Sequence, residues 1–212
     1  MRVSDIFEQS FSDVLKVSAS NAPTPGGGSV SGMVACFGAA MAAMVGNLTV
    51  GKEKFKDVEP AVREILTGTE KVMAELKTLV ASDMAGFDNF MQAFRMPKGT
   101  DEEKQEREDA LQAASKKATD TPLAIARACL AGLELAARLA PLGNKMAISD
   151  DGVAAYVLEA CVPAVLLSAE INLPGIKDSA YVEKVVAEKE QLKAKARALR
   201  DNTLKVVAER MA

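Results

Sequence analysis

The stretch from Ser29 to Gly51 carries no charged residue, and it constrains the fold more than any other part of the chain. A helix that is apolar on all sides either spans a membrane or lies at the centre of a helical bundle. The stretch is rich in Ala and Gly rather than Leu, Ile and Phe, no basic flank on one side supports membrane insertion, and we see no second segment like it. We therefore predict a buried central helix, with small residues at helical spacing where neighbours approach: Gly32, Cys36, Ala39, Ala43 and Gly46.

The rest of the chain has a 3.6-residue apolar periodicity and no sustained strand-like alternation, which predicts an all-α protein. Thr100 with Glu103 predicts a capping box, and Thr121-Pro122 predicts the first residues of a new helix. Pro163 predicts a kink inside a later helix. We predict a single domain, residues 1–212, in which about seven helices form a bundle around the central apolar helix. The predicted flanking helices cover 5–17, 58–94, 100–120, 121–140, 149–172 and 178–211.

Histidine is absent from all 212 residues. This absence excludes Ser-His and Cys-His nucleophile pairs and histidine-ligated zinc or iron sites. Any catalysis must use carboxylates, lysines, hydroxyls, amides, thiols or backbone dipoles. Lys and Arg number 26 and Asp and Glu number 29, a net charge of −3 that gives no electrostatic reason to expect nucleic acid or an anionic membrane as a partner.

The three cysteines, Cys36, Cys129 and Cys161, lie far apart in apolar stretches and match no zinc or redox spacing. They are predicted to be buried reduced thiols, and their odd, sparse number suits a reducing compartment. The N-terminal segment has Asp and Glu among its apolar positions, unlike a signal or transit peptide. We expect a cytoplasmic protein.

A glycine-rich loop leads directly into the central helix. Its glycines let the backbone approach a ligand closely, and the N–H groups at a helix start favour anions or electron-rich oxygens. It is not a phosphate-binding P-loop, because no Gly-Lys-Ser/Thr follows at the required spacing. Close helix packing around a turn explains the glycines equally well. The candidate binding residues of this loop are Pro25, Gly26, Gly27, Gly28 and Ser29.

A second polar segment, Asn47 to Lys52, lies at the other end of the same helix. Asn47 belongs to an apolar element and therefore needs partners or a ligand. Lys52 is placed near a helix C-terminus, where a cation is favoured in any case. A structural role for Lys52 therefore explains the pattern at least as well as a functional one.

Acidic residues supply two further candidates. Asp83 lies on the long third helix and either flanks its apolar stripe in solvent or faces a cleft. In a cleft, desolvation would raise its pKa above about 3.9 towards the range of a useful base. Ser149 or Asp150 is the predicted N-cap of the helix that follows Asn144. The helix dipole there favours an ionised Asp150, a fixed negative charge rather than a proton acceptor.

Four segments, in chain order, resemble the cyclodeaminase/cyclohydrolase family of folate enzymes. They are PTPGGGS at Pro23–Ser29, NLTVGK at Asn47–Lys52, DMAGFDNFMQAF at Asp83–Phe94 and GNKMAISDDGVAA at Gly143–Ala155. The similarity extends over essentially the whole chain, including ATDTPL at Ala118–Leu123. It implies an all-helical homodimer that acts on one-carbon derivatives of tetrahydrofolate without a metal or redox cofactor. The chain departs from the family pattern at Ser168, whereas Asn172 matches it.

The resemblance implies a methenyltetrahydrofolate cyclohydrolase, which converts 5,10-methenyltetrahydrofolate to 10-formyltetrahydrofolate. The alternatives are a formimidoyltetrahydrofolate cyclodeaminase and a non-catalytic helical interaction module. For the cyclohydrolase we predict Asp83 as the base, Asp150 as the charge that holds the substrate cation, and Lys52 as a partner of a carbonyl or of the glutamate carboxylate. The loops at the two ends of the central helix are predicted to gather in one site. The remaining predicted substrate-binding residues are Asn47, Thr49, Asn144, Ser149 and Asn172.

Overall fold

Six α-helices joined by short 3₁₀ turns make up the part of the chain that the computed structural model describes, residues 6–212. No strand occurs in these residues, so the all-α prediction is confirmed. The 3₁₀ turns are Ile6–Glu8, Glu53–Phe55, Lys145–Ala147 and Leu173–Gly175. The helices are α1 (Phe11–Ser18), α2 (Gly27–Asn47), α3 (Glu59–Phe94), α4 (Asp101–Leu139), α5 (Ile148–Glu170) and α6 (Ser179–Met211).

Helix α2 packs against α3, α4 and α5, in agreement with the predicted central helix. Its glycines allow the neighbours to approach closely. A Cβ added at Gly38 would lie 2.8 Å from the Leu158 side chain of α5, and one at Gly46 would lie 2.8 Å from the Leu66 side chain of α3. Small residues are therefore required on more than one side of α2, because neighbouring side chains occupy the space that larger ones would need.

Helix α5 is a second central helix, which the sequence analysis did not recognise. Both α2 and the range Lys145–Gly175 are long and apolar enough, by length and composition, to cross a membrane. In the structure the two helices pack against each other within the bundle. The expectation of one such segment was therefore wrong, and the core is built around the α2–α5 pair.

Helix α4 runs without interruption through Pro122, so the predicted start of a new helix at Thr121 is wrong. Proline has no N–H, so the carbonyl oxygen of Ala118, four residues earlier, loses its helical donor. The side-chain amide nitrogen of Asn172 donates to this oxygen at 3.1 Å and replaces the missing bond. This tertiary contact explains why the structure has six helices where about seven were expected.

Two predicted helix starts also need correction. Helix α1 begins at Phe11 rather than near residue 5, because the Ser10 side chain caps it by accepting the N–H of Asp13 at 3.1 Å. The five residues 1–5 lie outside the described part. Helix α5 begins at Ile148 with Ala147 as its N-cap, so the capping role expected of residue 149 or 150 is wrong, and both lie in the first turn.

Other local signals predicted the structure correctly. Thr100 and Glu103 form the predicted capping box: Thr100 Oγ1 accepts the N–H of Glu103 at 3.2 Å, and Glu103 Oε2 accepts the N–H of Thr100 at 3.1 Å. Asp178 caps α6 by accepting the N–H of Tyr181 at 3.0 Å. Helix α5 continues through Pro163 to Glu170, so this proline does not end the helix, and the kink predicted there stays a prediction.

Candidate functional site

A cavity of about 330 Å³ lies where the glycine-rich loop meets α3, α4 and the end of α5. We call it the glycine-loop cavity. It contains polar groups from four separate chain segments between apolar walls, the usual composition of a small-molecule site. Its lining residues are Pro23, Thr24, Gly26, Gly27, Gly28, Asp83, Gly86, Phe87, Phe90, Ala118, Thr121, Pro122, Ser168, Ile171 and Asn172.

Asp83 is the carboxyl group of this cavity, and it lies against the first turn of α2. Its Oδ2 accepts a hydrogen bond from Ser29 Oγ at 2.6 Å. A Cβ at Gly28 would lie 2.9 Å from both Asp83 carboxyl oxygens, so the absent side chain leaves room for the carboxyl. Burial raises the pKa of Asp83, while the hydrogen bonds from the Ser29 side chain and backbone oppose the shift. Asp83 thus faces a cleft and its pKa is shifted in the predicted direction.

Asn172 joins the end of α5 to the proline turn of α4 at the edge of the cavity. Its amide nitrogen donates to the carbonyl oxygens of Ala118, at 3.1 Å, and of Ser168, at 2.9 Å. Both amide hydrogens are used in this way, so the amide oxygen is the atom of Asn172 left for a ligand. Ser168, where the chain departs from the family pattern, also lines the cavity.

The aromatic wall formed by Phe87 and Phe90 was not predicted as part of the site. They follow Asp83 by four and seven residues, a spacing that places them on the same helix face as the carboxyl. This spacing is the sequence signal that could have identified the two rings as part of the site. The two rings and Asp83 line one cavity.

The other predicted residues lie at the far end of α2, in a second cluster that we call the Asn144 corner. Thr49 Oγ1 accepts the backbone N–H of Asn144 at 2.8 Å and donates to the Val45 carbonyl oxygen at 2.7 Å. The carbonyl oxygen of Leu48 accepts from the Asn144 side-chain amide at 3.1 Å and from Lys52 Nζ at 2.6 Å. These bonds hold the end of α2 against the loop before α5, and the Lys52 bond is the C-terminal capping contact that its position favoured.

The two clusters are separated by the length of α2. Its 21 residues correspond to about 30 Å at 1.5 Å per residue. One chain therefore does not bring both ends of α2 to a single site, and the predicted gathering of the two loops stays a prediction that requires a second chain. Gly26, Gly27, Gly28, Asp83 and Asn172 line the glycine-loop cavity, Ser29 bonds to Asp83, and Pro25 is buried in the loop without lining it. The predicted residues at the Asn144 corner are Asn47, Thr49, Lys52, Asn144, Ser149 and Asp150.

Asp151 is a buried carboxyl that the sequence analysis missed. Its side chain is fully inaccessible to solvent, and neither carboxyl oxygen has a hydrogen-bond partner among the described residues. Burial raises the pKa of Asp151 to about 8, although the charge of Arg210 acts in the opposite direction. Asp151 belongs to the buried stripe of α5 that begins at Ile148 and continues at Ala154, Ala155 and Leu158, so helical periodicity distinguishes it from its neighbour Asp150.

The described thiols are buried or half-buried, and the described acidic residues form no cluster of metal-ligand size. Cys129 and Cys161 are buried and free, as predicted, whereas Cys36 is half-buried. Burial raises the pKa of Cys36 to about 11 and that of Cys161 to about 12, which makes both weak nucleophiles. Within residues 6–212, no three or more Cys, Asp or Glu side chains are grouped closely enough to hold a metal ion. Asp83 is the titratable group that lines the glycine-loop cavity.

The sequence matches the model of the family described as Formiminotransferase-cyclodeaminase over residues 10–191. A methenyltetrahydrofolate cyclohydrolase of Methylorubrum extorquens is 39% identical over 193 residues, which cover 91% of this chain and 93% of that protein. The formimidoyltransferase-cyclodeaminase of Mus musculus is 36% identical over 160 residues, which cover 76% of this chain but 30% of that protein. The chain therefore matches nearly the full length of the first relative and less than a third of the second.

A solved structure gives the same fold. The formiminotetrahydrofolate cyclodeaminase from Thermotoga maritima aligns with a TM-score of 0.86 and 28% sequence identity. The alignment covers 96% of this chain and 98% of that chain. The all-α architecture is thus shared over nearly the whole of both molecules.

Proposed function

Because the chain belongs to the formiminotransferase-cyclodeaminase family, we propose that it is a methenyltetrahydrofolate cyclohydrolase of one-carbon metabolism. The observation that carries this proposal is the half-buried carboxyl of Asp83 in the glycine-loop cavity, in a chain that matches a stand-alone cyclohydrolase over nearly its full length. The substrate is a cation in which one carbon bridges N5 and N10. Its hydrolysis requires a positioned base rather than a redox group.

In the proposed reaction, Asp83 accepts a proton from water as the water oxygen attacks the bridging carbon. A C–O bond forms, and the substrate cation becomes a neutral tetrahedral adduct. The C–N5 bond then breaks, N5 takes up a proton, and the hydroxyl proton is lost as the formyl group forms on N10. One water is consumed and one proton is released overall. General acid–base catalysis of this kind contributes about 10²–10⁴-fold.

The surroundings of Asp83 suit this role. The Ser29 hydroxyl donates to Oδ2 at 2.6 Å and fixes the carboxyl in an orientation in which it can hold a water molecule. Burial raises the pKa and makes the carboxylate a stronger base than one in solvent. The Phe87 and Phe90 rings border the same cavity and offer flat apolar surfaces to a pterin ring.

The proposal is tested with two substrates. Purified protein is supplied separately with 5,10-methenyltetrahydrofolate and with formiminotetrahydrofolate, and the near-ultraviolet absorbance of the methenyl group is followed. A cyclohydrolase removes the band in the first reaction, whereas a cyclodeaminase produces it in the second. Activity with formiminotetrahydrofolate alone would overturn the proposal in favour of the cyclodeaminase. That alternative is supported by the fold shared with the Thermotoga maritima cyclodeaminase.

The role of Asp83 is tested by replacing it. We expect Asp83→Asn to lower kcat by about 10²–10⁴-fold, because the amide keeps the shape of the carboxyl but accepts no proton. The pH–rate profile should also lose its acidic limb, since that limb reports ionisation of the base. Asp150→Asn is the matched comparison and should retain the limb. Near-normal turnover by Asp83→Asn would refute the assignment.

We also propose that the protein acts as a homodimer through the outer face of the α2–α5 pair. Phe37 lies at the middle of α2 and Tyr156 near the middle of α5, and each is 58% exposed. Val34, Val153 and Leu167 expose further apolar surface on the same two helices. Exposed apolar side chains of this size are typical of a protein–protein interface where they form one patch.

A two-fold axis near Phe37 would place the two separated clusters next to each other, one from each protomer. Two copies of α2 would then run antiparallel, and the Asn144 corner of one copy would lie beside the glycine-loop cavity of the other. Asp150 and Lys52 would reach the substrate from the second protomer: Asp150 to hold the cation and Lys52 to contact a carbonyl. This arrangement retains the roles predicted from the sequence and distributes them between two chains.

Mixing two inactive variants tests the shared site. In a heterodimer of Asp83→Asn and Asp150→Asn, one site would carry both substitutions and the other site neither. Random re-assortment of equal amounts should therefore restore about a quarter of wild-type activity. No recovery, with heterodimers verified by mass, would show that each site belongs to one chain. Phe37→Glu should give a monomer by light scattering, and a dimer that persists would contradict the proposed interface.

Cofactor use and location belong to the same proposal. We propose that no metal or redox cofactor takes part, so activity should survive EDTA and dialysis. We propose a cytoplasmic location, because three free cysteines suit a reducing compartment. Activity lost on chelation and restored by one metal would overturn the first proposal, and fractionation of the native cells tests the second.

A further inference from the structure

The exposed positions of α2 and α5 form an outer face without charged residues. On α5 these positions recur every three or four residues, which places them on one side of the helix. They are Ser149, Val153, Tyr156, Ala160, Ala164 and Leu167, and Ile171 continues the line past the helix end. Helix α2 adds a neighbouring line of exposed or half-buried apolar positions: Val34, Phe37, Met41 and Leu48.

The absence of charge on this outer face is not typical of a helix surface that stays in water. Helix α6 packs on another side of α5 and exposes charged residues such as Glu183, Lys184 and Glu190. Polar and charged side chains are the usual occupants of the exposed side of a helix. A continuous apolar line at exposed positions therefore indicates that another surface covers it.

Two contacts between α2 and α5 locate the midpoint of the outer face. At the start of α2, a Cβ added at Gly27 would lie 3.9 Å from the side chain of Ser168, near the end of α5, so the two helices run antiparallel. Near the middle of α2, a Cβ at Gly38 would lie 2.8 Å from the Leu158 side chain. The midpoint of α2 is therefore level with Leu158 of α5.

The two ends of the outer face carry the two most exposed large apolar side chains of the described residues, Met146 at 87% and Ile171 at 80%. Met146 lies in the turn that follows Asn144, and Ile171 lines the glycine-loop cavity. Met146 is 12 residues before Leu158 and Ile171 is 13 residues after it, which correspond to about 18 Å and about 20 Å along α5. A two-fold axis level with Leu158 would therefore exchange these two ends.

We propose that Met146 of one protomer packs against Ile171 of the partner subunit, and that this contact fixes the register in which two chains share the site. The inference rests on the proposed function, because it starts from the two-fold dimer through Phe37. The backbone N–H of Met146 donates to Asn144 Oδ1 at 3.2 Å, so the exposed side chain extends from a turn that is held in place. Methionine is flexible and polarizable and adapts to an apolar partner. Asp150 follows Met146 by four residues, and the contact would bring its carboxylate to the cavity of the partner.

Disulfide cross-linking of the full-length protein tests this contact. The double variant Met146→Cys/Ile171→Cys is oxidised with diamide, whose N=N bond takes up the two protons and two electrons that a pair of thiols loses as the S–S bond forms. Within one chain the two positions are 25 residues apart along α5, about 38 Å, so a disulfide that joins them must connect two protomers. We expect a covalent dimer on a non-reducing gel, and its return to the monomer position after reduction with dithiothreitol.

The two single variants and the pair Met146→Cys/Lys71→Cys are the matched controls. A two-fold axis level with Leu158 separates position 146 from its own copy by about 36 Å, so Met146→Cys alone should give no covalent dimer. Lys71 is an exposed lysine on α3, outside the outer face. The same controls account for the half-buried native thiol of Cys36.

A covalent dimer in the double variant alone supports the inference. No cross-link in the double variant, or an equal amount of cross-link in Met146→Cys alone, overturns it, because the two ends of the outer face are then not exchanged. Flotation of the protein with phosphatidylcholine vesicles, without a cross-link, also overturns it and assigns the outer face to a lipid surface. None of these outcomes affects the proposed reaction, which is overturned separately if wild-type protein turns over neither substrate in the two-substrate assay.

Discussion

The buried carboxyl of Asp151 should make the stability of the protein fall as the pH rises. The group has no hydrogen-bond partner among the described residues and its pKa is raised to about 8, against 3.8 for an ordinary aspartate. Between these two values the folded chain holds a proton at this site and the unfolded chain does not. The raised pKa of Asp151 therefore contributes stability that is complete below about pH 4. This stability declines as the pH rises between the two pKa values and is lost above about pH 8.

The size of this change in stability follows from the pH interval between the two pKa values of Asp151. Each pH unit corresponds to about 1.4 kcal/mol, so about four units correspond to about 6 kcal/mol, a large part of the 5–15 kcal/mol typical of a folded domain. In the variant Asp151→Asn this dependence is absent, because the amide does not titrate. The stability of wild type relative to the variant should fall by about 1.4 kcal/mol per unit between pH 5 and pH 8 and become constant above.

Urea denaturation at fixed protein concentration measures this difference across pH 5 to 9. Asp151→Ser, a second neutral replacement of different size, separates titration from packing, since both variants should show the same pH dependence. Arg210→Gln should move the upper end of the window to higher pH, because the Arg210 charge lowers the pKa of Asp151. A wild-type profile parallel to those of both neutral variants would refute the reasoning, since it would mean that Asp151 titrates alike in the folded and unfolded chains.

Two further predictions concern packing and a buried hydrogen bond. Gly38→Ala should lower the free energy of unfolding by about 1–3 kcal/mol, because its Cβ would lie 2.8 Å from the Leu158 side chain, while Gly86→Ala should raise it by up to about 1 kcal/mol. Urea denaturation compares the two, and equal effects would contradict the packing argument. Thr49→Val should cost about 1–3 kcal/mol, because the buried N–H of Asn144 loses its acceptor. Thermal unfolding measures this loss, and an unchanged Tm would contradict it.

The features that the sequence predicted correctly are those fixed by neighbouring residues. The capping box of Thr100 and Glu103 and the start of α6 at Ser179, after its cap Asp178, depend on contacts within a few positions. The continuity of α4 depends on a distant residue. Asn172, 54 positions after Ala118, satisfies the carbonyl that Pro122 leaves without a donor. Local rules end a helix at such a proline, and only the tertiary fold supplies the missing donor.

The sequence contains a signal that distinguishes Asp150 from Asp151, although it was not used to predict the site. Both follow Ser149 and both are acidic residues at a helix start, so motif and dipole arguments treat them alike. Periodicity separates them, because the buried stripe of α5 includes Asp151 and excludes Asp150. The environment then fixes their chemistry: Asp151 is desolvated, while Asp150 keeps partial access to solvent. The role of a charged residue at a helix start therefore depends on the helical register as well as on the local composition.

The separation of the two site clusters is set by the length of α2. Of the residues that the motifs pointed to, the glycine loop, Asp83 and Asn172 line one cavity. A 21-residue helix is about 30 Å long, so the motifs at its two ends cannot reach one small cation within a single chain. Helix length therefore excludes a one-chain site that uses all four motifs. Either the Asn144 corner only supports the fold, as the Thr49–Asn144 bond allows, or a second chain brings that corner to the cavity. The exposed Phe37 at the midpoint of α2 favours the second arrangement, because a two-fold axis there exchanges the two ends.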